Sequence, residues 1–96
     1  MDLYLARRTD QPNLFNISVS DNPYISCQFL QRGHCFEVHP VVIFANAGDC
    51  DEAIHKALEQ WRVRGDWYAI SMQEACHEIC RTLAKLDAAH REMLQA

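Results

Sequence analysis

No stretch of this chain approaches the ~18 consecutive apolar residues of a membrane span, although 49% of its 96 residues are hydrophobic. Arg7 and Arg8 interrupt the N-terminus before a hydrophobic leader can build, so the sequence predicts no secretory signal and a cytoplasmic protein. Five cysteines, odd in number and without framework spacing, fit a reducing compartment better than a secreted disulfide scaffold. Neither His34-Cys35-x3-His39 nor Cys76-His77-x2-Cys80 has the CxxC spacing of a structural zinc site. Repeats, linkers and low-complexity tracts are missing too.

Basic excess is also lacking. Nine Lys and Arg stand against thirteen Asp and Glu, for a net charge of −4. Nucleic-acid binders draw most of their affinity from neutralised phosphates and released counterions. The charge balance therefore argues against tight non-specific DNA binding and is compatible with a basic protein partner. A local phosphate-binding patch requires Arg7, Arg8, Arg62 and Arg64 to converge.

What is present suits a single α/β (α+β) domain over residues 1–96, with a core at 2–70 and a long C-terminal helix at 71–95. Residues 2–7 and 13–20 alternate as two strands of a hairpin, joined by the turn cluster Thr9-Asp10-Gln11-Pro12-Asn13. Asn22-Pro23 begins a helix that runs to Gln31, with Tyr24 or Ile25, Cys27 and Leu30 inward. Residues 36–44 carry apolar side chains at both parities, which predicts a central strand covered on both faces. Pro40 then calls for a bulge or an unpaired edge segment. These strands make a small three-stranded antiparallel sheet flanked by helices.

Asp49 is the expected cap of the next helix, with Glu52 at the capping-box position. Ala53, Ile54, Ala57, Leu58 and Trp61 form its apolar stripe, Arg62 and Arg64 lie near its end, and Gly65 stops it. Trp67–Ile70 reads as a short extended segment, after which Ser71-x-x-Glu74 caps the last helix. In that helix Met72, Cys76, Ile79, Leu83, Leu86, His90 and Met93 recur as a heptad seam. At ~1.5 Å per residue the helix is about 36 Å long, against a radius of gyration of about 11 Å for a 70-residue core. It is expected to overhang its domain and offer Leu83, Leu86, His90 and Met93 to a partner or to a second copy.

Tyr4 on the first strand, Phe15-Asn16-Ile17-Ser18 on the second, Asn22-Pro23 opening a helix, Glu52-Ala53-Ile54-His55, and Gly65-Asp66-Trp67-Tyr68 fall in one order. That order resembles the GIY-YIG nuclease superfamily, especially its small phage and viral branch, over residues 2 to about 80. The resemblance implies that Tyr4 matches the tyrosine that helps generate the attacking water, and Glu52 the glutamate that holds Mg²⁺ or Mn²⁺, with His55 beside it. The family's arginine position falls on Ile25 or Ser26, its second-strand tyrosine on Phe15, and its glycine on Ser18. Losing one preorganised charge of that kind costs about 10²–10³ in rate.

The resemblance thus implies a degenerate nuclease-like domain, catalytically weak or inactive. It would act by binding a protein or a protein–nucleic acid complex, as a small phage or mobile-element inhibitor does. Two alternatives stand beside it. One is an active metal-dependent endonuclease cutting DNA through Tyr4, Glu52 and His55 with an arginine relocated to Arg7, Arg8 or Arg32. The other is a homodimeric module built on the C-terminal helix. Each site residue also has a purely structural explanation: a capping box for Glu52, a half-buried histidine for His55, core positions for Tyr4, Trp67 and Tyr68.

Overall fold

A computed structural model describes residues 1–32 and 37–95 of the chain, with side chains as far as Asp87. Strand β1 (Asp2–Arg8) turns back into β2 (Leu14–Ser20), pairing Leu3 with Val19 and Arg7 with Phe15. Helix α1 (Pro23–Gln31) follows. Its N-cap Asn22 accepts a hydrogen bond from the Ile25 amide at 3.3 Å, and Pro23 occupies the first position, where no amide is needed. Strand β3 (Val38–Phe44), helix α2 (Asp51–Ala57), the short strands β4 (Arg62–Arg64) and β5 (Trp67–Ala69), and helix α3 (Met72–Gln95) complete the chain.

Among the described residues the sheet has five strands, antiparallel throughout, in the order β3-β1-β2-β5-β4, rather than the three expected. Of the two additional strands, β5 lies within the expected extended segment Trp67–Ile70, outside the three strands expected for the sheet, and β4 was not expected. Each has three residues, too short to establish a period, and Arg62-Val63-Arg64 continues the polar end of a helix in appearance. A two-residue loop, Gly65-Asp66, joins them. Gly65 has φ 56°, the conformation a type II′ hairpin turn wants at its first loop position, so this glycine turns a hairpin and does not stop a helix.

Strand β3 was expected at the centre and stands at the edge. Its apolar residues occupy both parities because of a bulge. The β1 partners jump from Val42 to Pro40, leaving Val41 extra, and Val41, Val42 and Phe44 all pack against one core cluster. Pro40 sits beside that bulge on the edge strand, the surroundings its missing amide requires.

Helix α2 begins one residue later than expected. Asp49 lies in a 3-10 turn, Gly48–Cys50, and the N-cap is Cys50, with no side-chain cap, so the capping box does not form. The helix ends at Ala57 and tightens into a further 3-10 turn, Glu59–Trp61, before β4. Helix α3 is capped as expected, the Glu74 amide donating to Ser71 Oγ at 3.1 Å.

Two cores lie on opposite faces of the sheet. Leu3, Leu5, Phe15, Ile17 and Tyr68 pack under Ile54 and Leu58 of α2 and Ala75 and Ile79 of α3. Tyr4 and Ala6 pack on the other face with Cys27 of α1 and Val38. Tyr24 and Ile25 of α1, one of which was expected inward, are both exposed, while Cys27 is buried and Leu30 partly so.

Much of the α3 seam is buried within the chain itself: Ile79 is fully buried, and Met72 and Leu83 pack against the core. From Ala84 to Asp87 the helix is exposed, consistent with the expected overhang and with a longest dimension of 53 Å. The side chains of His90 and Met93 lie outside the described residues.

Candidate functional site

Strand alternation decides which candidate residues can meet. Tyr4 lies between Leu3 and Leu5 and points to the opposite face from both. It is 2% exposed, against α1. Its phenol hydrogen-bonds Ser18, directly opposite on β2, and Ser26 of α1. Ser26 Oγ lies 2.6 Å from Ser20 Oγ, and Ser18 Oγ donates to Asn16 Oδ1 at 2.6 Å. Asn16 is itself buried. Burial, aided by Cys27, raises the Tyr4 pKa above its ordinary value, with the two serine hydrogen bonds pulling the other way. The phenol therefore stays protonated at neutral pH, inside a hydroxyl network that knits β1, β2 and α1.

Helix α2 lies over the other face. Its Ile54 and Leu58 are buried there, which brings His55 to the sheet beside Tyr68 of β5. His55 Nδ1 and the Tyr68 hydroxyl share a hydrogen bond. On the ring's other side Nε2 lies 2.8 Å from Asp51 Oδ1, one helical turn back. That oxygen is buried and has no aligned donor, so the Asp51 contact is an ion-pair approach off the hydrogen-bond axis. Both ring nitrogens of His55 are therefore engaged. Arg62 of β4 stacks over the Tyr68 ring at 5.7 Å. Burial raises the Tyr68 pKa, and Arg62 offsets part of the rise.

The resemblance implies a divalent cation at Glu52, and the surrounding residues do not fit one. Glu52 is exposed in the first turn of α2, and its neighbour Asp51 is turned to His55. Among the described residues no three His, Cys, Asp or Glu side chains gather as a ligand set. Tyr4 is on the far face. Of the two cysteine-histidine groupings, His34 and Cys35 lie outside the described residues, while Cys76 is half-buried and Cys80 exposed on α3.

The four arginines do not converge either. Strands β1 and β4 are three steps apart in the sheet, about 14 Å at 4.7–4.9 Å per step. Arg8 Nη2 pairs with Asp10 at 2.7 Å, and Arg62 Nη1 with Glu59 at 3.2 Å. Sequence reasoning missed the hydroxyl network and the Tyr68 hydroxyl. The run of serines at 18, 20 and 26 was the available signal for the network, and a tyrosine at 68, which carries a hydroxyl into a core position, was the signal for the other.

No protein family, curated protein or solved structure matches the chain. No helix among the described residues is long and apolar enough to cross a membrane.

Two predictions follow from these environments. Tyr68→Phe removes only the hydroxyl and leaves His55 Nδ1 without its partner, so it should cost about 1–3 kcal/mol in urea unfolding. An unchanged midpoint would mean that the His55–Tyr68 bond does not hold α2 to the sheet. The second concerns Cys27, whose thiol burial pushes up from 9.0 to about 11. Below pH 9 both folded and unfolded chains keep this proton. Between pH 9 and about 11 the unfolded chain releases it and the folded one does not, so stability should fall over that window. In Cys27→Ala this part of the slope should vanish, and a pH profile of the unfolding midpoint identical to wild type would refute the assignment.

Proposed function

We propose that this chain is a nuclease-like domain of the GIY-YIG kind in which the catalytic centre is not assembled, and that it works by binding. The observation that carries this reading is the sheet itself: it stands between Tyr4 on one face and His55 on the other, so the parts of the expected centre cannot reach one phosphate. Three further features support it. Ser26, at the expected arginine position, spends its hydroxyl on Tyr4 and Ser20. Both nitrogens of His55 are occupied. Glu52 stands without the companions a hard cation uses.

The partner is a protein or a protein–nucleic acid complex in the cytoplasm, and the acidic balance favours basic surfaces on it. A phage or mobile-element inhibitor suits a domain of this size. A second reading, self-association through α3, is favoured by the exposed stretch Ala84–Asp87, with Leu86 38% exposed on the seam.

Supercoiled plasmid incubated with the folded protein and Mg²⁺ or Mn²⁺ should stay uncut, with wild type and Glu52→Ala indistinguishable. Cleavage that Glu52→Ala abolishes would sink the binding reading and restore the active endonuclease. For the second reading, Leu86→Asp should convert a dimer to a monomer by light scattering; a mass that does not change removes α3 as the interface.

A further inference from the structure

The two edges of the sheet are built differently. At one, β4 has only three residues, two of them arginines, and a register irregularity, all devices that keep an edge strand from pairing with another chain. The other edge, β3, is closed only in its first half. There the Val38 amide donates to Gln31 Oε1 at 3.2 Å, and Pro40 has no amide to offer.

After the bulge at Val41 these devices stop. Val41-Val42-Ile43-Phe44 is β-branched and aromatic, and no Lys, Arg, Asp or Glu occurs between Glu37 and Asp49. Among the described residues no strand lies beyond it.

Apolar surface flanks this open half. Helix α1 presents Ser26 toward Ser20 of β2 and Gln31 toward Val38 of β3, so its two flanks are assigned. Tyr24, seven residues before Gln31, shares the β3 flank, and it is 64% exposed. Ile43 is directly opposite Tyr4, which puts it on the α1 face of the sheet, and it is 37% exposed.

We propose that the free edge of Val41–Phe44 pairs antiparallel with the same segment of a second copy of this chain, joining two five-stranded sheets into one. A two-fold axis perpendicular to the sheet keeps α1 of both copies on one face and brings Tyr24 and Ile43 of each toward the axis. A second copy fits better than a foreign charged strand because the segment is self-complementary and uncharged. The −4 carried by each chain therefore meets no like charge along the ladder itself. A four-residue ladder alone falls short of the roughly 800 Å² per partner of a stable interface. The exposed side chains of Tyr24 and Ile43, doubled by symmetry, add apolar area beside it. This inference does not depend on the nuclease-like reading.

Light scattering across a concentration series, together with hydrogen exchange of the same samples, tests it. The mass should rise from monomer to dimer, and the amides of Val41–Phe44 should exchange more slowly as it does. Ile43→Lys, a charge placed on the edge at an already exposed position, should restore the monomer. A wild type that stays monomeric throughout, or a dimer that Ile43→Lys does not disturb, would overturn the proposal. Should Ile43→Lys fail to fold, exchange in the wild type decides: a dimer with no added protection at Val41–Phe44 refutes the pairing.

Discussion

Leu3, Tyr4, Leu5 and Ala6 are four consecutive residues of β1, and each is at least 98% buried. A strand reaches that state only when both of its faces are covered. The demand on the rest of the chain is heavy. One face needs α2 and α3, whose Ile54, Leu58, Ala75 and Ile79 meet Leu3 and Leu5. The other needs α1, and because Tyr4 is the residue presented there, the covering helix has to bring hydrogen-bonding groups as well as apolar ones. Ser26 and Cys27, adjacent in α1, supply the two kinds. The interior position of β1 therefore fixes the layers, and it also sorts the polar residues into two groups that cannot meet.

Each of those groups is turned inward. A buried hydroxyl left unpaired costs about 1–3 kcal/mol, whereas a satisfied one returns only about 0.5–1.5. The larger number governs placement: once Tyr4 and Tyr68 are buried, their partners are dictated by the need to avoid the penalty. On one face that need recruits Ser18 and Ser26; on the other it recruits His55, with Asp51 behind the ring. These side chains are the ties between helix and sheet. The hydroxyl of Tyr68 is the group that makes the second tie available.

The parts of this architecture that could be read from the sequence were those with a local cause. Strands β1 and β2 alternate cleanly, Asn22-Pro23 opens α1 through its cap, and Ser71-x-x-Glu74 opens α3. The parts that could not be read depend on tertiary context. Three residues of β4 acquire strand conformation only by pairing with β5, and that pair in turn leans on β2 through Phe15 and Tyr68. In β3 the bulge at Val41 moved apolar residues onto both parities and imitated a central strand. For the site, residue types and spacing were legible and faces were not. Tyr4 and His55 were read as one constellation because nothing in a linear pattern says which side of a sheet a helix returns to.

The open half of β3 and the exposed stretch of α3 at Ala84–Asp87 are not physically equivalent. A helix satisfies its own backbone, and once its first turns are anchored, propagation adds a hydrogen bond for each residue fixed. Met72 through Leu83 anchor α3 on the core, so its continuation to Gln95 needs no second molecule to explain it. An edge strand cannot satisfy itself: the Phe44 carbonyl accepts from the Ala47 amide at 3.3 Å, but the alternate amides and carbonyls before it face an edge with no strand beyond it among the described residues. This chain meets that problem at β4 with arginines and brevity, and in the first half of β3 with Gln31 and Pro40. The four residues where it does not are also beside the exposed Tyr24 and Ile43. Backbone demand and apolar exposure coincide at this edge, and on the described part of α3 only the second is present.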